Sequence, residues 1–309
     1  DRTAVCCLSS LNLEKYDEWK DDKYFINDIM RFLDNVLTDF IEKAPDEFSD
    51  ATYSAMKERS VGLGVMGLHS YFQQKMIPFE SVMAKVWNKK IFQYIQEQVD
   101  QASKDLAEER GPCPDASDYG INERFSNKTA IAPTASISII CGGASPGIEP
   151  IAANSYTHKT LSGSFNVRNK YLAKLLEKHG KNDDETWSSI TTNQGSVSHL
   201  DFLKKEERDV FKTAFELDQR WVVDLGADRT PYISQAQSIN VFIPADIHKK
   251  DLHQIHFQAW KKGLKSLYYC RSKSIQRAEN VNDAKSTDVT ANVYKSNNKN
   301  NEQPEYEEC

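Results

Sequence analysis

An α/β fold built on a parallel sheet is what this sequence predicts, on three observations. Short runs suited to strands alternate with longer segments whose apolar residues recur at helical spacing, which is the pattern of βαβ units. Of the 309 residues, 39% are apolar and 27% charged, enough for a sizeable core and too apolar for wholesale disorder. No internal repeat is evident. At roughly 150 residues per domain the length accommodates about two domains, although single α/β barrels exceed that.

The elements follow in order. Asp1 is not an initiator methionine, and Cys6-Cys7-Leu8 opens an apolar run almost at once. Termini are normally polar and frayed, so the chain reads as a piece of something longer. Ile26, Ile29, Phe32, Leu33, Val36, Leu37, Phe40 and Ile41 predict a helix over 24–43, stopped by Pro45. Residues 53–59 are helix-like and charged. A second long helix starts at the N-cap Ser81, carries Val82, Val86, Ile91, Ile95, Val99 and Ala102 on its apolar face, and ends near Gly111.

Residues 128–132 predict a short strand ended by Pro133, followed by a loop of small residues from Thr134 to Gly147. Helices are expected over 169–179, over 206–225 and over 251–262, the last capped by Gly263. Strands are expected over 238–243 and 265–269. From about Arg277 the composition shifts: residues 280–301 hold seven asparagines and almost no large apolar side chains, and the acidic end finishes on Cys309. Such a stretch cannot bury enough surface to offset its chain entropy.

Charge and composition exclude several classes. A net charge of −6 with acids and bases interspersed argues against a nucleic-acid surface, which needs clustered excess base. Mean hydropathy of −0.63, with no run near the ~18 apolar residues of a membrane span, predicts a soluble chain. Six scattered cysteines (Cys6, Cys7, Cys113, Cys141, Cys270, Cys309) without a secretory leader argue for a reducing, cytoplasmic setting. No CxxC or HExxH is present, so no metal is expected; His253 and His256 read as one packed and one solvated imidazole.

Each motif has a plain structural explanation beside the functional one. Gly62-Leu63-Gly64-Val65-Met66-Gly67 fits GxGxxG, with Glu80 near the distance of a ribose acid. A dinucleotide site needs a preceding strand, and the preceding segment is helix-like, so close backbone packing at a turn is the favoured use. Pro133-Thr134-Ala135-Ser136-Ile137-Ser138 follows a strand and enters a helix, an arrangement that holds phosphate on free amides or is simply a capped turn. Tyr268 and Tyr269, adjacent on a strand, point to opposite faces, and core packing explains them as well as redox work does. A buried Cys6 behaves as a small apolar side chain.

Together these features have a different meaning. Cys6-Cys7-Leu8-Ser9-Ser10-Leu11, the segment from Arg59 to Leu68, Pro78-Phe79-Glu80-Ser81, Ala132-Pro133-Thr134-Ala135-Ser136, Gly147-Ile148-Glu149-Pro150, Leu161-Ser162-Gly163, Gln237-Ser238-Ile239-Asn240 and the segment from Gly263 to Tyr269 occur in that order. In this set the chain resembles the C-terminal part of the large subunit of class I ribonucleoside-diphosphate reductase, over about residues 1–272.

The resemblance implies that residues 1–274 form the second half of a ten-stranded α/β barrel and that 275–309 are a flexible redox tail. By the same resemblance, Cys6 is the second member of the redox pair that reduces the ribose. Thr134, Ala135, Ser136 and Ile137 bind the substrate's phosphates, Ile137 through its N–H alone where family members often carry a hydroxyl. Tyr268 and Tyr269 relay a radical, and Cys309 re-reduces the active-site disulfide. Three of these sites are therefore expected to converge: Cys6, the loop and the paired phenols.

The family's Asn-x-Cys-x-Glu finger loop, its first redox cysteine, its N-terminal nucleotide-binding regions and a second tail cysteine have no counterpart in this sequence. The expectation is a split large subunit. Its implied partners are an N-terminal half, a small subunit whose metal generates the radical, and a ribonucleoside diphosphate. An external reductant of thioredoxin or glutaredoxin type is implied too, with no cofactor in this chain, no nucleic acid and no membrane. The alternatives are a non-catalytic assembly or decoy module that binds the small subunit, and a nucleotide-binding protein using residues 62–67.

Overall fold

A computed structural model of the chain describes residues 2–160 and 163–272. The first half runs β1 (Leu8–Asn12), α1 (Tyr16–Trp19), α2 (Phe25–Lys43), α3 (Ser49–Glu58), β2 (Gly62–Met66), α4 (Leu68–Gln74), α5 (Val82–Arg110) and α6 (Pro114–Ser117). The second half runs α7 (Ile137–Ile140), the antiparallel pair β3 (Ser155–Thr160) and β4 (Gly163–Arg168), then α8 (Lys170–Lys178), α9 (Asp184–Thr192), α10 (Lys205–Val210), α11 (Gln219–Arg229), β5 (Val241–Ile243), α12 (Lys249–Lys261) and β6 (Cys270–Ser272).

Five segments line up in parallel. β1 pairs with β2 from Leu8–Gly62 to Asn12–Met66, and residues 129–131 then bridge Leu63 on one side and Gln237 on the other. The chain leading into β5 takes up that pairing (Ile131 N–H to Ala236 O, 3.1 Å), and β5 pairs with β6 from Val241–Cys270 to Ile243–Ser272. The connections between them contain helices, as parallel strands require. Among the described residues the outer edges of β1 and β6 carry no strand partner. An open, five-membered parallel sheet is what one half of a ten-stranded α/β barrel looks like.

Helices cover one face of this sheet. Leu11, Leu63 and Val65 pack with Met30, Leu33 and Leu37 of α2 and Ile91, Ile95 and Val99 of α5. Val241 and Ile243 pack with Val223 of α11 and Ile255 and Ala259 of α12. Because side chains alternate across a strand, Leu8, Ser10, Gly62, Gly64, Asn240 and Phe242 belong to the opposite face.

The glycines at 62 and 64 stand in a fully buried strand, which corrects the turn expected there. A Cβ on Gly64 would lie 2.2 Å from Ala130 O, so residues 129–131 can approach β2 only across glycine.

Three other expectations are corrected. The helix over 206–225 is two helices, because its apolar residues belong to different cores. Val210 and Phe211 pack with Leu172, Leu176 and Trp187, whereas Leu217, Val222 and Leu225 join the main core. The chain turns between them, and Asp218 restarts the helix as N-cap by accepting from Arg220 N–H. Over 265–269 the backbone is hydrogen-bonded to the chain beside it (Tyr268 N–H to Ile239 O, 2.9 Å), but the strand proper begins at Cys270. His253 and His256 are both exposed, His253 lying against Phe257 with ring centroids 6.0 Å apart.

Candidate functional site

Cys6 and Cys7 immediately precede β1, and consecutive residues of an extended chain point to opposite sides. Cys7 is buried toward α2, with its thiol 3.8 Å from Leu33 O, while Cys6 is exposed. The small, apolar role considered for Cys6 thus belongs to Cys7. Burial pushes the Cys7 thiol above its ordinary pKa, with Cys6 adding to the effect, and burial raises that of Cys113 as well. Brief alkylation of the native chain should therefore modify Cys6 at least about tenfold faster than Cys7, because Cys7 must wait for local opening. Fragment-ion mass spectrometry distinguishes the two neighbours, and equal labelling would contradict the placement.

The loop after residues 129–131 is locked in place. Thr134 has a positive φ of 55°, unfavourable for a β-branched residue. Its hydroxyl accepts from Gly147 N–H (2.6 Å), and its carbonyl accepts from Ser138 N–H (3.0 Å). Ser145 and Ser70 exchange a pair of bonds that tie the loop to α4 (3.1 and 2.9 Å). The consequence is that Ala135, Ser136 and Ile137 stand exposed, and among the described residues their N–H groups have no acceptor. Thr134 is buried; its oxygen is engaged with the loop itself.

Tyr268 and Tyr269 are brought together. Their ring centroids lie 4.1 Å apart at an interplanar angle of 53°, and both are about half exposed. The expectation of opposite faces fails because these two residues precede the regular strand. Tyr269 N–H donates to Asn240 Oδ1 (2.9 Å), and Tyr269 O accepts from Val241 N–H (2.9 Å).

Cys6 and the loop are not in contact. Asn12, at the far end of β1, is the residue that meets the loop, donating to Cys141 O (3.3 Å). About 20 Å of extended chain separates it from Cys6 at ~3.3 Å per residue. The tyrosine pair lies at the other edge of the sheet, four strand spacings or ~19 Å from β1 along the sheet. Cys309 and residues 275–309 lie outside the described residues.

The sequence reading missed a cavity of about 680 Å³ beside the loop, whose wall includes Ala135, Glu149, Lys170, Phe242 and Arg271. Lys170 is held by Glu14 (2.8 Å) and Gly142 O (3.0 Å). His69 anchors the segment that carries Glu149, its Nδ1 accepting from Ile151 N–H (2.9 Å); burial pulls it down to about 3, so it stays neutral. Glu149 is itself buried, its Oε1 accepting from Asn240 Nδ2. Burial pushes its carboxyl up to about 7, against the opposing influence of Arg271 and the Asn240 bond. An acid in a stretch of Gly, Ile and Pro was the signal available for it.

The geometry defines a class first: an open, parallel α/β half-barrel with one accessible thiol beside its first strand, an amide-lined loop and a contacting tyrosine pair. The family model described as "Ribonucleotide reductase, barrel domain" matches residues 1–123 and 115–270. The ribonucleoside-diphosphate reductase large subunit of Invertebrate iridescent virus 6 is 52% identical over 284 residues, covering 91% of this chain and 29% of that protein. The large subunit of Invertebrate iridescent virus 3 is 45% identical over 289 residues, covering 93% and 46%. Among solved structures, the Actinobacillus ureae class Id ribonucleotide reductase alpha subunit superposes with a TM-score of 0.83 at 40% identity, covering 89% of this chain and 51% of that one. The chain belongs to the ribonucleotide reductase family, within its barrel domain, and spans about a third to a half of the length of these relatives.

Proposed function

We propose that this chain is the C-terminal half of a ribonucleoside-diphosphate reductase large subunit, which reduces ribonucleoside diphosphates once its barrel is closed. The observation that carries this reading is the pair of edges, β1 and β6, that have no strand partner among the described residues. Unpaired parallel strands leave a row of N–H and C=O groups that a second set of strands can satisfy. An N-terminal half of the large subunit supplies those strands, and a thiyl radical with them. The small subunit, which carries the metal, supplies the radical through Tyr269 and Tyr268.

In the closed enzyme the exposed amides of Ala135, Ser136 and Ile137, in the loop that Thr134 holds, grip the diphosphate. The thiyl takes the 3′ hydrogen, water leaves from C2′, and a pair of cysteine thiols near the ribose gives up two electrons and two protons as it forms a disulfide. Cys6, about 20 Å of extended chain from the β1 residue that meets the loop, is too far from a ribose held there to be one of the pair. The 3′ hydrogen is then returned, so the net change is one ribose hydroxyl lost as water against one disulfide gained. Residues 275–309 act as an arm whose Cys309 exchanges with that disulfide, and an external dithiol of thioredoxin or glutaredoxin type restores the arm. A reducing, cytoplasmic setting suits this chemistry, and the described cysteines are all free thiols. Among the described residues no helix is long and apolar enough to cross a membrane.

The test mixes the chain with the complementary N-terminal half and the small subunit and follows conversion of CDP to dCDP. Turnover is expected only in the complete mixture. Full turnover by the chain with the small subunit alone would refute the need for a second half. A complete mixture that assembles without turning over would identify a non-catalytic docking module instead.

A further inference from the structure

Asn240 is 1% exposed and has two neighbours of different kinds. Its Nδ2 donates to Glu149 Oε1 on the cavity wall, and its Oδ1 accepts the backbone N–H of Tyr269 at 2.9 Å. One planar amide therefore spans the distance between a buried carboxyl group and the tyrosine pair. An amide in this position has a fixed sense: its NH2 must face an acceptor and its oxygen a donor. Glu149 meets the first requirement with a carboxylate, and a charge-assisted bond to it is about twice as strong as a neutral one.

We propose that Glu149 and Asn240 are positioning residues for Tyr269, the carboxylate fixing the orientation of the amide and the amide fixing the backbone from which the Tyr269 ring projects. The inference rests on the reading of Tyr268 and Tyr269 as a radical relay and adds the residues that hold the relay's geometry. Glu149 lies on the wall of the 680 Å³ cavity beside Arg271, whose guanidinium lies over the Tyr269 ring (5.6 Å to the centroid), so an occupant of that cavity reaches the tyrosine pair through these two side chains. The ionisable groups sharing this wall are Arg271, Arg168, Lys170, Tyr156 and Tyr171. Arg168 is occupied by Asp184 (2.7 Å) and Lys170 by Glu14, and no imidazole lines the cavity among the described residues. Glu149, pushed up to about 7, is thus the wall group placed to change charge near neutrality.

The experiment places 4-fluorophenylalanine, which does not ionise, at position 269 of the full chain and records its 19F resonance from the acid to the alkaline side of neutrality. The resonance is expected to move with a midpoint near 7. In Glu149→Gln, which keeps a neutral oxygen for Asn240 but cannot titrate, it should hold one position at every pH, close to that of the protonated wild type. Glu149→Ala and Asn240→Ala should each displace and broaden it at every pH.

The same probe at the exposed Tyr119 should not respond to pH or to any of the three variants. A resonance at position 269 that is flat through neutrality in the wild type would overturn the proposal. So would one that titrates equally in Glu149→Gln, or one that moves only in step with the Tyr119 control. These outcomes are separate from those of the relay reading. A Tyr269→Phe chain that still turns over in the reconstituted enzyme sinks the relay whatever the resonance does.

Discussion

Tyr269→Phe should leave the chain folded and able to assemble, yet lower reductase turnover in the reconstituted complex by at least about a hundredfold, or ~2.7 kcal/mol of barrier. Oxidising tyrosine requires loss of its phenolic proton, and phenylalanine has none to lose. The structure gives little reason for collateral damage. The Tyr269 ring is 54% exposed, and the bonds that fix it run through its backbone to Asn240 and Val241. Its contact with Tyr268, centroids 4.1 Å apart, depends on ring shape, which phenylalanine keeps. CDP reduction and co-sedimentation with the small subunit, measured on the same preparation, check the two halves of the prediction. Retained turnover would remove Tyr269 from the electron path.

The largest loss of stability is expected for Asp34→Ala. Asp34 is fully buried in α2, and three guanidinium groups converge on its carboxylate. These are Arg59 (2.8 Å), Arg110 (2.8 Å) and Arg124 (2.9 and 3.2 Å). Removing one partner of a buried ionic cluster strands the others, at about 3–5 kcal/mol. Urea denaturation should show that drop in unfolding free energy, and a loss under ~1 kcal/mol would mean that solvent reaches the cluster.

The same group makes stability depend on pH. Burial alone would raise the Asp34 carboxyl, but Arg124, Arg59 and Arg110 outweigh it and hold the carboxyl below the usual aspartate range. A folded value below the unfolded one means that the contribution is complete above the unfolded value of 3.8 and is lost as the pH falls through the folded value. The acid limb of the wild-type stability curve should therefore flatten in Asp34→Ala.

What could be read directly from the sequence follows from how locally each element is specified. Helix α2 and helix α5 carry their own signals, an apolar stripe and an N-cap at Ser81 whose side chain accepts from Ala84 N–H. Asn169 does the same for α8. The inner strands are harder. Residues 62–66 are buried throughout, so no alternation marks them, and the glycines that admit Ala130 look like a turn. The break at 211–218 depends on which of two cores each apolar residue joins, a long-range fact. The hairpin β3–β4 has polar residues such as Thr157 and Asn166 and went unrecognised. Of the site, Cys6, the loop and the tyrosines came from their order along the chain. Glu149 and Asn240 stand in two of the ordered segments, but their contact emerged only once the fold set a loop carboxyl against the amide just before β5.

The two sulfurs at the start of the chain carry one more consequence. The pleat alone decides which of them faces solvent, since Cys6 and Cys7 differ in surroundings and not in kind. Sliding β1 by a single residue against β2 would exchange them, burying the accessible thiol and presenting the sheltered one, with the amino-acid content unchanged. Which sulfur is open to reaction is therefore a matter of strand phase as much as of cysteine itself. An insertion or deletion of one residue just after Cys7 would swap the reactive and protected positions.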